Sequence, residues 1–339
     1  MLDIFNSDAF SVVPLTEAIR KVKFAPGRIN QLGLFQPYGV TTTTIAIEEK
    51  QGSLVLVPPT ARGGPGVTRD KDKRKMRSLT IPHFQIDDAI MAEEVQGIRA
   101  FGSETMTETV MMKVAERMAD HVQAFEVTNE YSRIGALKGV VVYANGEQLD
   151  LFSAFGVSQV SEVDFDLDNA SPTPGALRRV CADVIRAMAA QLDGVPFTGL
   201  HAFCGDDFFD DLISHPEVRE TYLNQQEAGE LRTGYINAGG LSWGSFNFGG
   251  ITFENYRGSV DGQAFVHTDK CHIIPLGVPG LFRTVYAPAD YVETVNTVGR
   301  QYYVKQWAMP NDKGRNMEIQ TNPLHYCTRP NVLIQGRRT

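Results

Sequence analysis

The sequence predicts an α+β protein built around one long helix, with β-rich stretches on both sides of it. Two observations carry this. From Ser103 to Gly135 no proline interrupts the chain, and Val110, Met111, Val114, Met118, Val122 and Phe125 fall within an arc of about 120° when wound as a helix. Before and after it, β-branched runs alternate with glycine, proline and Asn-Gly turn signals.

The 339 residues suffice for a substantial core in one large or two modest domains. With 42 % hydrophobic and 21 % charged residues the composition is that of a globular protein. No run of 18 apolar residues is present, so no membrane span is expected. The start, Met-Leu-Asp-Ile-Phe, lacks the basic and apolar regions of a signal peptide, which sets a cytosolic expectation. Cys181, Cys204, Cys271 and Cys327 show no framework spacing, in keeping with a reducing compartment. A net charge of -8 argues against a protein whose main task is gripping nucleic acid.

Taken in order, residues 1–37 read as an arm: Phe5 and Phe10 are anchors, a short helix is expected over Leu15–Lys23, and Pro26-Gly27 ends it. Val40–Glu48, Ser53–Val57 and Ser78–Ile86 read as strands. Between them lie Pro58-Pro59, Gly63-Gly-Pro-Gly66 and a basic run. Arg62, Arg69, Lys71, Lys73, Arg74, Lys75 and Arg77 against Asp70 and Asp72 give a local charge of +5 on an acidic chain. Two strands flanking such a loop make a projection that cannot bury itself, and a compact domain rarely carries one without a partner. No aromatic residue lies between Tyr38 and Phe84, so base stacking is unsupported there. A solvated loop is the ordinary reading of such a run; an arm reaching over an acidic neighbouring subunit also fits its length and sign, and is preferred only on the resemblance described below.

The long helix is expected to open at Ser103 or at a Thr105/Glu108 capping box and to close at Gly135. Glu126 and Glu130 are expected on its solvent side, with Lys113, Glu116, Arg117 and Asp120, and Arg133 is expected to face the negative end of the dipole. Asn145-Gly146 between Val140–Ala144 and Glu147–Phe152 predicts a hairpin with a type I′ turn. A second helix is expected to start at Thr173-Pro174, with Thr173 as its cap, and to end at Gly194. Leu200–Cys204 reads as a buried strand, Asp206 as the cap of a helix reaching Ile213, and His215-Pro216 as a restart. Phe246–Tyr256, Phe265–His267 and His272–Pro275 read as a mixed sheet. Gln301–Trp307, Arg315–Asn322 and Val332–Gln335 read as terminal strands returning to pack on the long helix.

Candidate chemistry does not assemble. His201 with Cys204, Cys271 with His272, and His325 with Cys327 have zinc-ligand residue types but neither CxxC nor HExxH spacing. Asp206, Asp207, Asp210 and Asp211 are better read as helix-start residues than as a cation site. Gly63-Gly-Pro-Gly66 lacks the Lys-Ser/Thr of a phosphate loop, and His121 falls within the packed arc of the long helix. No catalytic residue, metal or cofactor is therefore expected. The rival readings are a metal-dependent hydrolase using the His/Cys or Asp clusters, and a nucleic-acid-binding module using residues 62–77.

The order of parts resembles the tailed-phage major capsid proteins of the lambda type, the major capsid protein E family, which have the Hong Kong 97 capsid fold. The resemblance rests on Phe101-Gly-Ser-Glu104 before the long helix and Val140-Val-Val-Tyr-Ala-Asn-Gly146 after it. It continues through Gly205-Asp-Asp-Phe-Phe-Asp-Asp-Leu-Ile-Ser-His-Pro-Glu-Val218, Ile274-Pro-Leu-Gly-Val-Pro-Gly-Leu-Phe282 and Tyr286-Ala-Pro-Ala-Asp-Tyr291. It implies an N-arm over 1–37, an extended loop over 38–80, and a peripheral domain over 81–150 whose spine helix spans about 104–134. An axial domain over 151–299 and return strands of the peripheral domain over 300–339 complete the scheme. It also implies a non-enzymatic subunit of a virion shell, assembled from hexamers and pentamers in the host bacterial cytoplasm and enclosing double-stranded DNA. Separate scaffold, portal and decoration proteins are the partners it implies, since no long scaffolding segment precedes the arm. Some members of the wider fold crosslink through a lysine of the extended loop; Lys71, Lys73 and Lys75 lie there, but no catalytic partner is identifiable, and that activity is not carried over.

Overall fold

The computed structural model describes residues 27–51, 73–96, 110–223, 244–260 and 263–339. A turn of helix α1 (Arg28–Gln31) leads into strands β1 (Phe35–Gly39), β2 (Thr44–Gln51), β3 (Lys73–Thr80) and β4 (Phe84–Met91). Helix α2 (Ala92–Val95) precedes the long helix α3 (Val110–Lys138), followed by β5 (Val140–Val142), β6 (Gln148–Asp150), α4 (Leu151–Phe155) and β7 (Val163–Asp164). Then come α5 (Ala176–Gln191), β8 (Gly199–Cys204), α6 (Asp206–Ser214), α7 (Pro216–Leu223), β9 (Ser245–Phe248) and β10 (Ile251–Asn255). The remainder is β: β11 (Ser259–Val260), β12 (Gln263–Ala264), β13 (Lys270–Leu276), β14 (Phe282–Tyr286), β15 (Tyr303–Ala308), β16 (Gly314–Thr321), β17 (Pro323–Cys327) and β18 (Ile334–Arg337).

Two halves of α3 have different surroundings. Val114, Met118, Val122 and Phe125 pack with Ile90, Tyr302, Val304, Met317 and Ile319 under the antiparallel sheet β15-β16-β4. Along this half the arc members Val114, Met118, Val122 and Phe125 are buried as expected, the side chains of Val110 and Met111 lying outside what is described, and His121 hydrogen-bonds Asp88 at 2.7 Å on β4. From Phe125 onward the helix is enclosed almost all round: Glu126, Asn129, Glu130, Ser132, Arg133, Ile134, Ala136 and Leu137 are all buried. Glu126 and Glu130 therefore lie inside, not on a solvent face. A single-face reading fails there because elements from both ends of the chain converge on the helix.

The helix also ends later than Gly135. Gly135 is helical, and a Cβ there would approach the Val141 Cα to 2.8 Å, so its role is to let β5 lie against the helix. Gly139, at φ +88°, is the left-handed stop. A Cβ on Gly139 would fall 2.2 Å from Phe152 Cε2. Gly139→Ala is expected to cost on the order of 2–3 kcal/mol in urea unfolding of the isolated subunit, combining backbone strain with overpacking. A loss under about 0.5 kcal/mol would contradict this reading of the stop.

The middle of the chain forms a six-stranded mixed sheet in the order β7-β18-β13-β8-β10-β9, covered by α5 and α6. Several local expectations change. In the β5–β6 hairpin Gly146, at φ +85°, takes the left-handed position after a turn closed by Gly146 N–H to Tyr143 O (2.9 Å); Asn145 does not, so this is a three-residue loop and not a type I′ turn. Helix α5 begins after Gly175, and Thr173 is not its cap. The carboxylate of Glu217 on α7 accepts from Leu177 N (3.1 Å) and Arg178 N (3.3 Å) instead. Asp206 is the first residue of α6, not its cap; the cap is Gly205, where a Cβ would lie 2.1 Å from His267 O.

Residues 265–267 form no strand. Strands β14 and β17, which the alternation rule missed, pair with each other, and β14 also pairs with β1, giving a separate sheet in the order β1-β14-β17 packed against the helix. Of the terminal strands, β15 and β16 return to α3, but β18 pairs with β13 and β7 in the six-stranded sheet. The expected capping box at Thr105/Glu108, the strand at Ser53–Val57 and the helix at Leu15–Lys23 lie outside the described residues. No described helix is long and apolar enough to cross a membrane.

Candidate assembly surface

Strands β2 and β3 form a hairpin of eight consecutive antiparallel pairs, from Thr44↔Thr80 to Gln51↔Lys73. At about 3.3 Å per residue this ladder is roughly 26 Å long. Its root is fixed by alternation: Ile45 and Leu79, paired across the ladder, are both buried, and Ile47 beside them is half-buried. Thr44, Ala46, Ser78 and Thr80 face outward, and Met76 is 76 % exposed. The hairpin is a two-stranded sheet among the described residues, so neither strand has a second neighbour. Such a ladder is marginal by itself in water.

The sequence-derived contact residues divide into three groups. Lys73, Arg74 and Lys75 lie on β3 at the distal end, in register with Gln51, Lys50 and Glu49. Arg62, Arg69 and Lys71 lie outside the described residues. Arg77 is at the root, where its Nη1 donates to Ala154 O at 2.9 Å and its guanidinium lies against Gly156. Arg77 thus fastens the hairpin to α4 of its own chain.

Beneath the root a cleft of about 400 Å³ is lined by Tyr38, Ile45, Ile47, Phe155, Arg283 and Tyr326, among others. The Tyr38 and Tyr326 hydroxyls are 3.1 Å apart. Burial, then the Tyr38 hydroxyl, pushes the Tyr326 phenol above its ordinary range.

Behind the hairpin, a buried polar network ties three parts of the chain to α3. Arg28 Nε and Nη2 donate to the two Glu254 oxygens at 2.6 and 2.9 Å, and His201 Nε2 is 3.0 Å from the same carboxylate. Glu130 accepts from Ile29 N–H (2.8 Å) and from the Tyr256 hydroxyl (3.2 Å). Arg133 lies 3.7 Å from Glu130 and 3.9 Å from Glu126, and Glu126 accepts from Gln301 (3.0 Å) and the Tyr302 hydroxyl. Burial alone would raise the Glu254 carboxyl, but hydrogen bonds from His201 and Arg28 outweigh it and hold the group below its ordinary value. At Glu130 burial wins and the carboxyl is raised. Sequence reasoning missed this network because its members are 28, 126, 130, 133, 201 and 254, with no local spacing to reveal them.

The candidate metal ligands are consumed by packing. His201 Nε2 lies 3.0 Å from Glu254; His325 Nδ1 bonds the Thr284 hydroxyl at 2.8 Å; Cys204 and Cys271 are register partners in the sheet, both free thiols. Burial raises the thiols of Cys204, Cys181 and Cys327, the last two to about 12, which keeps them protonated and poor as ligands. Asp206 pairs with Arg257 and Asp211 with Arg338, dispersing the acidic cluster. Among the described residues no group of three or more His, Cys, Asp or Glu is placed to hold a metal.

The family model described as phage major capsid protein E matches residues 11–338. Major capsid proteins of Salmonella phage Felix O1 and Pseudomonas phage KPP10 are each 28 % identical, over 99 % and 97 % of this chain and 98 % and 97 % of theirs. Among solved structures, a putative capsid protein of an E. coli CFT073 prophage superposes with a TM-score of 0.51 at 14 % identity, covering all of this chain and 96 % of that one. The capsid protein of cyanophage P-SCSP1u gives 0.50 at 11 % identity over 90 % and 86 %. These structural likenesses carry the fold, which is the Hong Kong 97-like capsid fold. The chain itself is a structural shell protein, not an enzyme, and belongs to the phage major capsid protein E family.

Proposed function

We propose that this chain closes into an icosahedral head of hexamers and pentamers around double-stranded DNA, with each β2–β3 hairpin lying across an acidic neighbouring copy. The observation that carries this is the two-stranded basic ladder, anchored on its own chain by Ile45 and Leu79 at the root and without a third strand among the described residues. Arg62, Arg69, Lys71, Lys73, Arg74 and Lys75 are the residues assigned to the neighbour, while Arg77 holds the root. A segment of +5 on a chain of -8 is attracted to any other copy of that chain. Head-to-tail contacts of this kind close into rings, and many modest contacts sum to a durable shell. A chain that is acidic overall encloses DNA without adhering to it.

In this reading residues 1–37 serve as the arm and 38–80 as the extended loop. Residues 81–150 with 300–339 form the peripheral domain, and 151–299 the axial domain. β18 crosses between the last two, since it completes the six-stranded sheet. Scaffold, portal and decoration proteins are separate chains, and assembly takes place in the host cytoplasm. The triple variant Lys73→Glu, Arg74→Glu, Lys75→Glu is expected to leave the subunit folded and to lower the yield of closed particles at least tenfold. Wild-type particle yield from that variant would remove the hairpin from the interface.

A further inference from the structure

Strands β8 and β13, the central two of the six-stranded sheet, bring two of the four cysteines face to face: Cys204 and Cys271 are direct partners in the antiparallel register. Opposite residues of such a pair carry their side chains on the same side of the sheet. The backbone bonds fix which kind of pair this is. Gly205 N–H donates to Lys270 O at 2.9 Å, so the adjoining pair 205/270 is the hydrogen-bonded one. Cys204 O turns the other way and accepts from Tyr256 N–H at 2.9 Å. Arg338 N–H donates to Asp269 O at 3.1 Å, which by alternation turns the Cys271 backbone toward its β18 partner Gly336. Cys204 and Cys271 therefore form a non-hydrogen-bonded pair, in which Cα atoms approach to about 4.5 Å and side chains are closest. That spacing falls inside the range of about 4.4–6.8 Å that disulfides span. Pro275, which has no N–H to give, sits opposite Leu200 at a pair of the same kind, in keeping with this phase.

The surroundings leave the two sulfurs room to meet. Both residues are wholly buried, and both are free thiols. Cys271 Sγ rests beside Gly336, where a Cβ would stand 2.6 Å from it; the glycine leaves that sulfur space to turn about χ1 between β18 and β8. Cys204 Sγ donates to Ala202 O, 3.6 Å away on its own strand, a weak bond that is easily given up. The other two cysteines are placed elsewhere. Cys181 on α5 lies against Gly249 in the β9–β10 turn, and Cys327 on β17 belongs to the three-stranded sheet.

We infer that Cys204 and Cys271 are a latent disulfide, closed by a small peroxide-class oxidant and locking β8 to β13 at the centre of the sheet. The chemistry balances in two steps. One thiol gives an electron pair to hydrogen peroxide; the S–O bond forms, the O–O bond breaks, and a sulfenic acid and one water result. The second sulfur then attacks the sulfenic sulfur; the S–S bond forms, the S–O bond breaks, and the hydroxyl leaves with the thiol proton as a second water. Burial, then the neighbouring Cys271 thiol, raises the Cys204 thiol well above its ordinary value and keeps it protonated. Closure is therefore slow, and a reducing compartment holds the pair open. The inference concerns the fold of one chain and stands apart from the shell reading.

The test treats the reduced full-length chain, under native conditions, with dilute hydrogen peroxide and maps its peptides without reduction. A peptide joining Cys204 to Cys271 is expected, lost again on adding dithiothreitol, with Cys181 and Cys327 still free. The link closes a loop of 67 residues (271 less 204), long enough that the thermal midpoint is expected to rise by at least about 5 °C. Cys204→Ala and Cys271→Ala, treated alike, are expected to show neither the link nor the rise. Four free cysteines after treatment, sulfinic acid at Cys204 or Cys271 in place of the link, or a link that joins another pair overturns the inference. A linked chain whose midpoint does not rise overturns it too, since the bond then locks nothing. The peptide map is read on the wild type and needs neither variant to fold.

Discussion

Acidifying the isolated subunit from pH 6.5 to 4.5 is expected to remove about 2 kcal/mol of folding stability through His272, with His325 acting in the same direction, ahead of general carboxylate protonation. Two buried histidines cause it. Burial, then the Lys138 and Lys270 charges, lowers His272 to about 3. Burial, then Arg133, holds His325 well below its ordinary value. In the unfolded chain both titrate near 6.5. Below that pH the unfolded state binds two protons that the folded state refuses, so stability falls as pH falls, by about 1.4 kcal/mol per unit for each histidine. Glu130, raised by burial, works in the opposite sense but with one proton against two. Urea unfolding as a function of pH checks this, and His272→Asn should remove close to half of the slope. A stability that stays flat between pH 6.5 and 5 would show that these rings are not desolvated as described. Since native domains hold only about 5–15 kcal/mol, a loss of this size is a substantial share of the total.

Replacing Arg28 with alanine is expected to cost about 3–5 kcal/mol, the range for removing one partner of a buried pair. Glu254 is 1 % exposed, and the substitution leaves its carboxylate facing His201 alone. The same change loosens α1, whose Ile29 N–H is held by Glu130 at the next turn of the network. Arg28→Lys keeps the charge but loses the two-pronged contact with both Glu254 oxygens, and should cost about 1–2 kcal/mol. The sign with pH follows from Glu254. Its depressed carboxyl contributes stability that is complete above the unfolded value near 4.3 and is lost as pH falls through the lower folded value. Chemical denaturation at pH 7 measures the effect; a cost of Arg28→Ala below 1 kcal/mol would mean that the latch is not closed in solution.

What was legible in the sequence was what short-range periodicity encodes. The apolar row Val114, Met118, Val122, Phe125 marks the exposed-backed half of α3, and Ile45 lies on a strand that the β-branched run Val40–Glu48 announced, whereas β3 starts at Lys73, inside the basic run read as a loop, and not at Ser78. The residues proposed to meet a neighbour are marked by a charge imbalance, +5 within a chain of -8, which needs no structure to count. Features that depend on distant partners were not legible. Glu126 and Glu130 read as solvent-facing because a helical wheel cannot know that Gln301, Tyr302 and Tyr256 arrive on that side. Thr173 read as a cap because nothing local shows Glu217 reaching back to Leu177. Strands β14 and β17 escaped because, buried on both faces, they do not alternate.

The central claim is that the basic hairpin is completed by another copy of the chain. Electron microscopy of particles from wild-type protein beside the Lys73→Glu, Arg74→Glu, Lys75→Glu variant tests it most directly. Closed shells from the wild type, with soluble folded subunits or small oligomers from the variant, are the predicted result. Equal yields of closed shells from both, or a wild-type chain that stays a compact monomer even with its phage's own assembly proteins present, would contradict it.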